Sequence, residues 1–190
     1  MKKISHIRQE LNECSCGAVC VKMLLNCYNI EAKLANIFED VSENIFKNFG
    51  YCKNNLILDY LLKLGLHSSV ISVKEIDKVL KICEHNEIDV ILNIKSSLKS
   101  YGGHYVLYLG KNLNNIYVND PAKKLGCTPI KLEKLKKLMI PSLFSQISEK
   151  NTIIVVSKQS INLEEFEISC NRYKNVKIKI FKCLSSYIRK

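Results

Sequence analysis

The amino-acid sequence predicts an α+β fold, on three observations. Apolar residues recur at helical spacing up to Gly65. From His67 the period shortens to that of strands, and several short apolar segments follow. One of them, TIIVVS at 152–157, is apolar through its whole middle, the mark of a strand buried on both faces. Helices first and strands later argue against an alternating α/β chain.

The elements follow in order. Residues 17–29 carry Val19, Cys20, Met23, Leu24 and Cys27 as one helical stripe. Residues 31–41 repeat the pattern with Leu34, Ile37 and Phe38. A third, Leu-rich helix at 54–64 is stopped by Gly65, because glycine takes the left-handed conformation that ends helices. HSSVISV at 67–73 reads as a strand, and 74–84 as a helix with Ile76, Val79, Leu80 and Cys83 on one face. DVILNIK at 89–95, HYVLYLG at 104–110 and NIYVN at 115–119 read as strands, and 130–139 as a helix. No internal repeat or low-complexity stretch is present. Residues 1–158 are the expected domain, and 159–190 an expected linker with a basic amphipathic tail.

The 190 residues suffice for one domain with a real core. A content of 47% hydrophobic and 25% charged residues excludes a disordered chain. No run of 18 apolar residues exists, and no apolar stretch follows the basic start MKKISHIRQELNEC, so neither a membrane span nor a signal peptide is expected. The formal net charge of +11 is uneven. Arg172, Lys174, Lys177, Lys179, Lys182, Arg189 and Lys190 crowd the end of the chain with no acid among them. The remaining body is mildly basic and has no stacking-aromatic motif, so nucleic acid is not an expected partner. The nine cysteines, an odd number, read as mostly reduced thiols of a cytosolic protein.

Three of them stand in ECSCGAVC at 13–20. Cys14, Cys16 and Cys20 lack the paired spacing of a zinc site, and no second ligand pair lies nearby. A disulfide between Cys14 and Cys16 would be strained. A nucleophile fits better. The N-terminus of a helix favours a thiolate through its unpaired N–H groups and dipole. Cys16-Gly17-Ala18 stands where the first helix should begin, and Gly17 would let a substrate backbone come close. Such a cysteine needs a histidine base, a group to orient it and a donor for the oxyanion. His104 opens an apolar strand behind Gly102 and Gly103. Asp120, before Pro121, ends the next strand, and antiparallel pairing would bring it beside His104. Alone, His104 reads as a strand-start histidine and Asp120-Pro121 as a turn. With Cys16 upstream they read as base and orienter, and Gln9 would join the Cys16 N–H in binding the oxyanion. No metal or cofactor is expected.

Gln9, Glu13-x2-Cys16-Gly17-Ala18-Val19-Cys20, Gly103-His104-Tyr105-Val106 and Asn119-Asp120-Pro121-Ala122 together resemble the bacteriocin-processing cysteine peptidases. These are papain-like domains found at the N-terminus of peptide-exporting ABC transporters. The resemblance spans residues 4–157. It implies a papain-like fold, with N-terminal helices packed on an antiparallel sheet, and cleavage of leader peptides after a double-glycine motif. It implies Cys16 as nucleophile, His104 as base, Asp120 as orienter and Gln9 as oxyanion donor. The family commonly has an acid directly before the nucleophile, six residues after the Gln. Here Cys16 lies seven after Gln9 and follows Ser15, whereas Cys14 follows Glu13. Cys14 therefore stays open as the alternative, with Cys16 favoured because Cys-Gly-Ala-x-Cys runs straight into the helix.

The resemblance also implies partners: a precursor peptide with a double-glycine leader, and the membrane domains of an ABC transporter. It places the chain in the cytoplasm at the inner face of the cell membrane. The family's leaders are amphipathic helices, and the Leu-rich helix at 56–64 is a candidate wall of their groove. In the tail, Ile180, Phe181, Leu184 and Ile188 fit one helical face beside the basic residues, which suits a membrane surface and equally a solvated helix. Two other functions remain: a docking module that binds leaders without cutting them, and another papain-fold amide hydrolase or acyltransferase.

Overall fold

A computed structural model describes residues 1–9, 15–46, 49–95, 103–139, 152–166 and 170–171. Three helices come first: α1 (Cys16–Cys27), α2 (Leu34–Val41) and, after a hairpin of β1 (Ser42–Phe46) and β2 (Phe49–Cys52), α3 (Asn54–Lys63). There follow β3 (His67–Val73), α4 (Ile76–His85), β4 (Asp89–Lys95), β5 (Gly103–Asn112), β6 (Asn115–Asn119), β7 (Thr128–Lys131), α5 (Leu132–Leu138) and β8 (Thr152–Ser157). A 3₁₀ turn at Leu163–Phe166 and the short β9 (Cys170–Asn171) complete the described chain. The expected α+β class holds, with helices packed on an antiparallel sheet.

Seven strands form that sheet in the order β7-β6-β5-β4-β8-β3-β9. Both faces are covered, and strand alternation decides which residue goes where. Tyr105, Leu107 and Leu109 of β5 pack with α1, α2 and α3. Val106 and Tyr108, one residue out of step, pack with α4 and α5 on the other face. β8 lies between β4 and β3, and all six of its residues are buried, as its apolar run predicted.

Three helices end alike. Ile30, Leu66 and Ile88 each reach back five residues, to the carbonyls of Leu25, Leu61 and Cys83. The turn residue before each, Asn29, Gly65 or Glu87, has positive φ. Gly65 is the stop the sequence announces.

Other expectations are corrected. The stripe foreseen on α1 is a helix buried all round, from Cys16 through Val21 and at Met23, Leu24 and Leu25, while Cys27 is exposed. Its surroundings explain this, because the sheet, α2, α3 and β2 all pack on it. The β1–β2 hairpin and β7 were not foreseen. β7 carries Pro129, which a strand tolerates only at a sheet edge, and an edge is where it lies. The stretch from residue 159, expected as a linker, is packed in part. Phe166 is buried against the α4 face, and β9 pairs with Ser72 and Val73. Cys14, Gly102 and the tail at 172–190 lie outside the described residues. Among the described residues no helix is long and apolar enough to cross a membrane.

Candidate active site

α1 begins at Cys16, so the backbone N–H groups of its first turn have no partners within the helix. The side chain is 5% exposed, and the backbone amide of Tyr105 donates to its Sγ at 3.5 Å. That contact sets the start of β5 against the start of α1. It puts His104, the neighbour of Tyr105, at the side of Cys16, where the two side chains hydrogen-bond.

β5 and β6 are antiparallel, with Leu107 opposite Asn119, so Asp120 emerges beside the first turns of β5. His104 Nε2 donates to Asp120 Oδ1 at 2.6 Å, which leaves Nδ1 for Cys16. The same oxygen accepts the Ala122 amide at 2.9 Å, so the turn itself orients the carboxylate. Burial alone would lower the His104 pKa. The bonds to Asp120 and to Cys16 outweigh it and raise the value from 6.5 to about 9. Burial pushes Asp120 up, but His104, the Ala122 amide and Lys123 bring it below its ordinary value. The pair is therefore a carboxylate and an imidazolium near neutrality. Cys20, one turn on, is different: complete burial, with Cys16, Asp120 and Cys52 nearby, holds its thiol well above the ordinary range. It is inert core.

The profile of the Peptidase C39 family matches residues 3–139, a span that holds every one of these side chains. The chain belongs to the Peptidase C39 family. No curated protein is similar enough in sequence to match it. Solved structures agree on the fold. A C39-like peptidase of Bacillus anthracis superimposes with a TM-score of 0.66 at 14% identity, over 84% of this chain and 96% of that one. A double-glycine-motif protease from an AMS/PCAT transporter, crystallised with a leader peptide, gives 0.59 at 19% identity over 81% and 91%. The peptidase domain of Streptococcus ComA, a bifunctional ABC transporter of a quorum-sensing pathway, gives 0.58 at 16% over 83% and 100%. The fold is thus the papain-like one of C39 domains.

In this C39 chain the N-terminal segment closes the site. Gln9 donates its backbone amide to the Pro121 carbonyl at 3.0 Å, which fixes it beside the Asp120 turn. Its side-chain Oε1 is buried and has no hydrogen-bond partner among the described residues. All four residues singled out by the sequence thus fall in one region: His104 bonds both Cys16 and Asp120, and Gln9 is tied to the turn that follows Asp120.

Gly17 serves a purpose other than the one expected. A Cβ on it would lie 2.6 Å from Cys52 Cβ, so the missing side chain makes room for β2, not for a substrate. Sequence reasoning also missed the buried polar set behind Tyr105. The Tyr105 hydroxyl donates to Asn54 Oδ1 at 2.8 Å, and Asn54 Nδ2 donates to Thr152 Oγ1 at 3.0 Å. These bonds fix the root of β5 to α3 and β8. Three residues so far apart in sequence share no pattern that could have revealed them. His6, whose Nε2 donates to the Asp120 carbonyl at 3.0 Å, was equally silent.

Proposed function

We propose that the chain is a cysteine endopeptidase that cleaves leader peptides after a double-glycine motif. One observation carries this: in a chain of the C39 family, a carboxylate, a raised-pKa imidazole and a thiol at a helix start stand in line, Asp120 to His104 to Cys16. Cys16 Sγ attacks the scissile carbonyl with its proton already carried by His104 Nδ1, the imidazolium of the resting pair. The developing oxyanion meets the Cys16 N–H and the Gln9 amide, whose terminal O and N exchange by a flip. His104 then protonates the leaving amine, and Asp120 holds the imidazolium throughout. Water releases the acyl group by the same steps in reverse. No step calls for a metal or cofactor.

The partners follow from the reading: a precursor with a double-glycine leader, and the membrane domains of an exporter. The place is the cytoplasm at the inner face of the membrane, with residues 172–190 as the membrane-facing segment appended to the folded domain. A non-cleaving docking module is the second reading, favoured by the extra residue between Gln9 and Cys16. Mass spectrometry on a synthetic leader ending in Gly-Gly separates the two. Cleavage after the second glycine that Cys16→Ala abolishes and Cys14→Ala spares is expected. An intact peptide with the wild-type chain would leave the docking module, and cleavage surviving in Cys16→Ala would remove the assigned nucleophile.

A further inference from the structure

Residues 4–9 run beside 119–121, and three hydrogen bonds tie the two segments together. Asn119 Nδ2 donates to the Ile4 carbonyl at 2.9 Å, His6 Nε2 to the Asp120 carbonyl at 3.0 Å, and the Gln9 amide to the Pro121 carbonyl at 3.0 Å. The strap therefore ends on Gln9 and grips the residue whose carboxylate holds His104. His6 has a built seat. A Cβ on Gly126 would lie 2.6 Å from His6 Cβ and 3.0 Å from its Cγ, so only glycine admits the ring there. A carbonyl only accepts, so Nε2 carries a proton whether the ring is neutral or charged.

We propose that His6 is a positioning residue, which holds the Asp120 backbone and Gln9 at one fixed spacing and so sets base and oxyanion donor together. The inference rests on the peptidase reading above. His6 touches no reacting atom. It acts through Asp120. A shift of about 1 Å in the orienter or donor costs on the order of 100-fold in rate.

The test compares His6→Phe and His6→Leu, which fill the seat without a donor, with His6→Gln, which restores one. Substrate is the double-glycine leader peptide, and Cys16 alkylation by iodoacetamide, located by mass spectrometry, is followed in parallel. The groups facing His104 and Asp120, namely Cys16 and Lys123, stay unchanged. Phe and Leu should lower kcat about 10- to 100-fold at unchanged KM. They should move the alkaline limb of kcat/KM from about 9 toward 6.5 and slow Cys16 alkylation at neutral pH. Gln should recover most of each. Profiles that superimpose on the wild type, a Gln variant no better than Phe, or variants that fail to fold would each overturn the assignment, the last because positioning requires a folded but slow enzyme. If the wild type cleaves nothing, the peptidase reading fails, and His6 is judged on the alkylation profile alone.

Discussion

The two ends of α1 each face a carboxylate, and the two carboxylates behave differently. At the C-terminal end Asp89 is 4% exposed and closed by the protein itself, since Lys2 Nζ donates to Oδ1 at 2.6 Å and the Tyr28 hydroxyl to Oδ2 at 2.5 Å. Lys158 adds a cation there by donating to the Tyr28 carbonyl at 3.1 Å, which suits the negative end of the helix dipole. At the N-terminal end Asp120 is matched by His104, a group that can give up its proton, and that group in turn meets a thiol. A buried carboxylate with permanent donors fixes a fold. A half-buried carboxylate whose donor titrates is placed to do chemistry.

The comparison breaks if the two ends prove interchangeable. Asp120→Asn should lower kcat on the leader peptide roughly 10³- to 10⁴-fold, by analogy with the cost of misorienting a catalytic imidazole, with a Tm close to wild type once the pH exceeds about 9. Asp89→Ala should do the reverse. It leaves the Tyr28 hydroxyl and Lys2 only their longer bonds to the Val156 and Glu87 carbonyls, both 3.3 Å, costs about 1–3 kcal/mol in urea unfolding, and leaves kcat unchanged. Loss of activity without loss of stability in Asp89→Ala would erase the distinction.

Gly17→Ala probes the N-terminal end through packing. The new methyl group meets Cys52 Cβ, which cannot swing aside as a side-chain tip could, so about 1–3 kcal/mol of stability should be lost. The pH profile sharpens the contrast. The alkaline limb of kcat/KM should fall near pH 9, about tenfold per unit, as His104 loses the proton that the leaving amine needs. The stability sign follows from the same raised value. The ion pair with Asp120 contributes fully below pH 6.5, His104's ordinary value, and that contribution is lost as pH rises through about 9. Asp120→Asn should remove this part of the Tm decline. Smallest is Glu87→Gly, two residues before Asp89. It relieves a positive φ of 55° at an exposed helix end and should add about 0.5–1 kcal/mol without touching the rate.

These ends were unequally legible in the sequence. The strand at 104–110 and the one at 115–119 follow from period alone, and their antiparallel pairing carried Asp120 to His104 as anticipated. Cys16 was legible because a helix start is a local signal. The Asp89 end was not, since Lys2, Tyr28 and Asp89 come from three distant stretches and each alone is an ordinary surface type. Gly17 was misjudged for a related reason: its neighbour Cys52 lies on a hairpin whose strands are too short for periodicity to reveal. Local pattern finds elements and their ends, whereas contacts across the sequence must be seen.

The place of β8 has a consequence for how the molecule comes into being. Among the described strands Thr152–Ser157 is the last but one, yet it is inserted between β3 and β4, which pair with it and not with each other. A chain still on the ribosome at residue 139 has already produced Cys16, His104 and Asp120, but its sheet lacks the strand that joins its halves. Long-range pairing of this kind closes late. The sheet that carries the site is therefore completed only once the chain through residue 157 has been made.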